Sequence, residues 1–244
     1  DRTPDGKVWA ESGCVYKYWT RYLDVFDELC LVMRIRDVES VDPKMLQVNG
    51  DGVSCKGVPY YVGLWQYLMK STQVRDALRD AVNTGDAVIL SGGAISKHLS
   101  EQLRARDYPY AVYIVGDPYQ VFAPGAIRHP LRPFIRLKTM HEQKKLCANA
   151  FAASYVTKYA LQKRYPCPGY SVGISDVDIP DSMIAAAPKV YKQTIAKTRL
   201  IYLGTLNQLY KAPHVLISAV NRCVRDGLDL ELVMVGEGKH RPEL

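Results

Sequence analysis

No apolar run in these 244 residues approaches the ~20 that a membrane-spanning helix requires, so no such helix is expected. The opening Asp1-Arg2-Thr3-Pro4 lacks the basic-then-apolar order of a signal peptide. A cytoplasmic protein, or one peripheral on the inner face of a membrane, is therefore expected. Cysteine is scattered, at 14, 30, 55, 147, 167 and 223, with no C-x-x-C pair; reduced thiols are expected and a zinc site is not. Cys30 and Cys147 are expected in apolar or helical surroundings. The histidines at 98, 129, 141, 214 and 240 have no metal-ligand spacing and read as structural or exposed. Phosphate fingerprints are missing as well. No G-x-x-x-x-G-K-[ST] occurs, and neither Ser91-Gly92-Gly93 nor Gly236-Glu237-Gly238 extends to G-x-G-x-x-G, which ranks down a P-loop NTPase and a nicotinamide enzyme.

What is present is ordinary globular composition, 48% hydrophobic and 23% charged, which argues against disorder. The length allows one full domain and part of another. A formal charge of +7 suits an anionic partner without choosing among phosphate-bearing substrate, acidic lipid and nucleic acid. The cations cluster in one segment without an RNA-binding motif, which ranks nucleic acid low.

Apolar runs and helical spacing alternate along the chain. Val15, Trp19, Tyr22, Leu23 and Phe26 predict a helix over 15–26, and Glu28 to Arg36 a strand. Residues 40–60, rich in glycine and proline, read as connection with a short strand at Met45 to Val48. Helices are then predicted over 62–82, 94–106, 134–148 and 155–165, and strands at 86–90, 110–115 and 149–153, with another ending near Val172. Strand and helix taking turns, with apolar strands, is the pattern of a doubly wound, mostly parallel α/β sheet. A strand before the first helix is not evident. Residues 1–172 are expected to form one Rossmann-like domain and 173–198 an interdomain connection.

Arg199 to Gly238 reads as one β-α-β unit: an apolar strand into Gly204, a helix-length segment, and Leu230 to Val235 into Gly236-Glu237-Gly238. One such unit has two open sheet edges and a single helix, too little to bury a core, so 199–244 is expected to be an incomplete second Rossmann-like domain. Backbone amides after Gly204, a helix N-terminus and the Lys211 ammonium are suited to a diphosphate, although a plain strand-loop-helix turn with an exposed lysine gives the same pattern.

The order strand, Gly204-Thr205-Leu206, Tyr210-Lys211-Ala212, helix, strand, Gly236-Glu237-Gly238 resembles the start of the donor domain of GT-B glycosyltransferases, in particular the retaining family-4 group. There the pattern is typically Gly-Arg-Leu, Lys-Gly and Val-Gly-x-Gly. Thr205 stands where the family has the arginine on the donor diphosphate, and Ala212 replaces the glycine after lysine. The resemblance implies transfer of a sugar from a nucleotide diphosphate donor to a carbohydrate or lipid-linked acceptor, in polysaccharide biosynthesis, without metal or cofactor. It further implies that Gly204, Thr205, Lys211, Gly236, Glu237 and Gly238 bind donor. Residues 12–172 resemble the acceptor domain generically. Ser12 and Gly13 resemble the glycine-bearing loop near donor phosphate, or cap the first helix. Asp117, after a strand, occupies a position where related enzymes present a His or Asp to the transferred sugar; as Asp117-Pro118 it equally fits a turn. The family's spaced glutamate pair does not occur, as expected if the donor domain is incomplete and the fragment inactive alone.

Between 128 and 145 the chain sets Arg128, Arg132, Arg136, Lys138, Lys144 and Lys145 against a single acid, Glu142, with Phe134, Ile135, Leu137 and Met140 interleaved. A basic amphipathic segment can lie on anionic lipid, each cation contributing about 1 kcal/mol. A solvated face, or a patch for a phosphate-bearing soluble acceptor, is the alternative. Two rivals to the transferase share the pattern: a GT-B-like nucleotide-sugar epimerase and a non-catalytic carbohydrate- or partner-binding module.

Overall fold

The computed structural model describes the chain except for residues 12, 14, 128, 178, 189 and 191–196. It packs as two compact units, Asp1–Ala111 and Val112–Leu244.

In the first unit, β1 (Trp9–Ala10) pairs antiparallel with β3 (Leu46–Gln47), and β2 (Leu29–Ile35) pairs parallel with β4 (Val53–Pro59). Val8, Ile35 and Val48 are buried together, with Trp19, Leu31 and Met33 against them. The predicted first helix is shorter than its apolar spacing suggests. Only α1 (Tyr16–Trp19) and a 3-10 turn at Thr20–Tyr22 form, and the Trp19 ring sits edge-on to Tyr18, centroids 4.9 Å apart. The stretch read as connection contains β4, seven residues long. At Gly57 a side chain would begin 3.3 Å from the Ile35 Cβ of the neighbouring strand, a tight approach that the glycine relieves. α2 (Gly63–Ala77) packs on β4 and buries Val74. β5 (Ile89–Leu90) leads through Ser91 and Gly92 into α3 (Gly93–Arg104), whose Leu99 and Leu103, four residues apart, fall on the buried face. Each such side chain contributes roughly 1.5–3 kcal/mol by leaving water.

The second unit takes up β6 (Ala111–Ile114), α4 (Pro118–Val121), α5 (Arg132–Ala148), β7 (Ala152–Tyr155), α6 (Ala160–Arg164) and β8 (Tyr170–Gly173). β6, β7 and β8 are neighbours in that order, and β7 runs parallel to β8 from Ala152↔Tyr170 to Tyr155↔Gly173. Tyr155 belongs to the strand and not to the predicted helix over 155–165. Its ring is fully buried, and its hydroxyl donates to the Tyr165 carbonyl at 2.6 Å.

β9 (Thr198–Leu203), α7 (Pro213–Arg225) and β10 (Leu230–Val235) form the β-α-β unit read from the sequence, the strands parallel in register from Thr198↔Leu230 to Leu203↔Val235. Arg199 donates to Glu231 at 3.2 Å across the pair, and this hydrogen bond holds the Glu231 carboxyl below the usual carboxylate range. Ile201 and Leu203 of β9 remain 65% and 71% exposed. The whole is a mixed α/β chain on mostly parallel strand pairs, compatible with a Rossmann-like fold.

Candidate functional site

Two constellations carry the residues singled out from sequence. The first is the turn after β6. Proline at the first position of α4 fixes the entry backbone, and Asp117 caps that helix, its Oδ1 accepting the Tyr119 amide at 3.1 Å. The same Oδ1 accepts the Tyr165 hydroxyl at 2.6 Å, and Oδ2 accepts Arg164 Nη1 in an ion pair. Both carboxylate oxygens of Asp117 are therefore engaged.

Behind the turn, Gln143 Nε2, on a nearly buried side chain, donates to the Gly116 carbonyl at 2.9 Å. Arg136 Nε donates to the Tyr119 carbonyl at 2.7 Å and its guanidinium lies 3.5 Å from the Tyr119 ring centroid; Arg164 lies 4.9 Å from the same ring. Arg132 Nη1 donates to the Phe122 carbonyl at 3.0 Å. Arg132 and Arg136, both assigned from sequence to a surface patch, thus have guanidinium groups holding α4 and the residue after it, while Lys138 is exposed. Arg128 lies outside the described residues.

The second constellation is the pair of loops leaving β9 and β10. The Gly204 amide donates to the Val235 carbonyl at 3.1 Å, the Leu206 amide to the Glu237 carbonyl at 2.8 Å, and the His240 amide to the Leu206 carbonyl at 3.2 Å. The Lys239 amide adds a bond to Asn207 Oδ1 at 3.2 Å. Backbone approach is so close that a Cβ on Gly236 would overlap the Gly204 carbonyl oxygen, and one on Gly238 would overlap the Leu206–Asn207 peptide. These glycines allow one loop to lie against the other.

Gly204 is constrained from its other side, since a Cβ there would meet the Tyr202 hydroxyl at 3.0 Å and the Lys211 side chain at 3.2 Å. The Tyr202 hydroxyl is buried without a hydrogen-bond partner among the described residues. Lys211 ends a 3-10 turn, Leu209–Lys211, and its ammonium is exposed at 6.0 Å from the Tyr210 ring centroid. Ala212 then adopts a left-handed backbone, φ 53° and ψ 43°, ahead of Pro213 at the first position of α7. That conformation suits glycine and strains alanine by about 1–2 kcal/mol.

Thr205 Oγ1 accepts the Asn207 amide at 3.2 Å and so closes its own turn. Glu237 pairs with Arg241 at 2.6 Å, both side chains exposed, an arrangement that contributes about 0–1 kcal/mol. Gly204, Thr205, Lys211, Gly236, Glu237 and Gly238 thus come together at one end of the two-stranded sheet. Gly13 has φ +88° two residues before the Val15 cap of α1, with open space where its side chain would be. Ser12 lies outside the described residues. Tyr202, Arg164 and Tyr165 carry no sequence signal: the first is hidden in an apolar run, and the others reach Asp117 from 47 and 48 residues away.

Strand-loop-helix units on parallel pairs make this a mixed α/β chain, compatible with a Rossmann-like fold. No family model matches it. The chain is similar to Protein CapJ of Staphylococcus aureus, 26% identical over 231 residues, covering 93% of this chain and 56% of that protein. It thus spans a little over half the length of that curated relative.

Proposed function

We propose that the chain is part of a GT-B type glycosyltransferase, of the retaining family-4 kind, that moves a sugar from a nucleotide diphosphate donor to a carbohydrate or lipid-linked acceptor. The observation that carries this reading is the pairing of the β9 and β10 exit loops through Gly204, Gly236 and Gly238, beside a lysine that precedes a left-handed turn into a helix. A parallel sheet that presents such loops at its carboxyl end suits a nucleotide.

In this assignment Lys211 and the α7 N-terminus neutralise the donor diphosphate. The leaving diphosphate gains negative charge as the glycosidic bond breaks, so fixed positive groups act most strongly on the transition state. Asp117 is assigned to the acceptor side, facing the transferred sugar, its carboxylate fixed by Arg164 and Tyr165. Residues 1–172 form the acceptor domain in this scheme and 199–244 begin the donor domain.

The test is incubation of the complete protein with a panel of nucleotide diphosphate sugars and with glycan or lipid-linked acceptors, monitoring nucleoside diphosphate release. Acceptor-dependent release supports the reading. An epimerised nucleotide sugar, or no binding of any nucleotide sugar, overturns it.

A further inference from the structure

The outer face of α5 combines exposed apolar side chains with exposed lysines. Leu131, just before the helix, with Phe134 and Leu137, is 55%, 64% and 57% exposed respectively. Lys138, Lys144 and Lys145 are exposed as well. At about 100° per residue these six positions fall on one side of the helix, with lysines flanking the Phe134 line on both sides. The opposite side is the buried one: Gln143, Leu146 and Cys147 point into the unit, and Arg132 and Arg136 reach back to α4 and its end.

We infer that this face of α5 docks on an anionic lipid surface, the helix lying in the plane of the headgroups. The face combines charge complementarity to such a surface with apolar depth. Large apolar side chains enter the acyl boundary, while lysine stems run along it and their ammonium groups stay at headgroup level. Between 131 and 145 the one acid is Glu142, which lies at the margin of the face and is half-buried, so the lysines meet no neutralising row on their own helix. The chain's net charge of +7 has the same sign. A rival apolar patch at the start of α2, with Trp65 80% and Met69 82% exposed, has no comparable set of cations along its helix.

The inference also gives the proposed acceptor a route. α5 holds the Asp117 turn through Arg136 and Gln143, so a membrane beneath its outer face keeps that turn close to lipid-linked substrates. This last clause rests on the transferase reading; the docking itself does not.

Sedimentation with vesicles of phosphatidylcholine alone, or mixed with phosphatidylglycerol, tests the docking in the full chain. The protein should pellet with the mixed vesicles, lose binding as salt rises, and remain in solution with neutral ones. Lys138→Gln with Lys144→Gln and Lys145→Gln should weaken binding about 100-fold, at roughly fivefold per lysine. Phe134→Gln with Leu137→Gln should weaken it by at least about tenfold. These residues are exposed, so an unchanged circular dichroism spectrum and melting temperature are expected, and Trp65→Gln should leave binding unaltered. The inference is overturned if the protein stays in solution with mixed vesicles at low salt, or if neither α5 variant alters binding. Pelleting without vesicles that the α5 variants abolish also overturns it, in favour of self-association. Vesicle binding by a protein that releases no nucleoside diphosphate removes the transferase reading and leaves the docking intact.

Discussion

The Tyr165 hydroxyl donates to Asp117 Oδ1 at 2.6 Å, the oxygen that also caps α4 through the Tyr119 amide. One carboxylate thereby joins the turn after β6 to α6 and the residue that follows it. Asp117→Ala strands the buried Tyr165 hydroxyl, the Tyr119 amide and the partly exposed Arg164 guanidinium, and should lower stability by about 2–3 kcal/mol in urea unfolding. Asp117→Asn keeps an acceptor for the cap and for Tyr165 and loses the ion pair, so about 1 kcal/mol is expected. If the carboxylate also acts on the sugar, the Asn variant of the complete protein loses far more activity than its stability accounts for.

Ala212 stands in a left-handed conformation that alanine tolerates poorly. Ala212→Gly relieves about 1–2 kcal/mol of backbone strain and returns roughly half of that as added freedom of the unfolded chain. A net rise of about 0.5–1 kcal/mol is expected by thermal or urea unfolding. Ala212→Val should lower stability, and a stabilising valine would contradict the assigned backbone.

The two loop glycines should behave differently from a glycine in open space. Gly236→Ala and Gly238→Ala each drive a Cβ into the backbone of the facing loop, with an expected loss of about 3 kcal/mol. Gly93→Ala, at φ +79° with nothing near its Cβ, should lose only about 1 kcal/mol. Similar losses at all three positions would show that the loops are not packed backbone to backbone.

Burial pushes the Cys147 thiol up to about 12 and the Cys55 thiol up to about 11. Because folding raises these values, their stabilising contribution is complete below the ordinary thiol range and is lost as pH rises through 11 and 12. Cys147→Ala should therefore flatten the alkaline limb of the stability profile. At neutral pH Cys30, which is exposed despite its apolar neighbours in sequence, should react with a thiol reagent well before Cys147. Equal labelling rates would place Cys147 at the surface.

Much of the α/β alternation was legible because long apolar runs and helical spacing are local signals. Leu230 to Val235 was read with its boundaries, and the first strand of that unit within a residue. β4 was not, since Lys56, Gly57 and Pro59 are loop-like in sequence and become a strand only through parallel pairing with β2 and the close approach of Ile35. The predicted helix over 155–165 failed at its start because Tyr155 continues β7 and is buried there, a long-range demand that outweighs local spacing. The glycines and lysine of the β9–α7–β10 unit were legible as a set. Sequence assigned Gly236 and Gly238 to a ligand and gave no sign that they also seat one loop on another, because that contact joins residues more than thirty positions apart. Arg132 and Arg136 illustrate the same limit, because a row of cations in sequence does not say which of them turn inward.

Lys211 is the proposed cation for a donor diphosphate. The most direct measurement is the calorimetric affinity of nucleoside diphosphates and their sugars for the complete protein, compared with its Lys211→Ala variant. Loss of one charge-assisted contact to phosphate, about 1.5–3 kcal/mol, predicts binding weakened by roughly 10- to 150-fold with the melting temperature unchanged. Equal affinity in the two proteins, or no affinity in either, would contradict it.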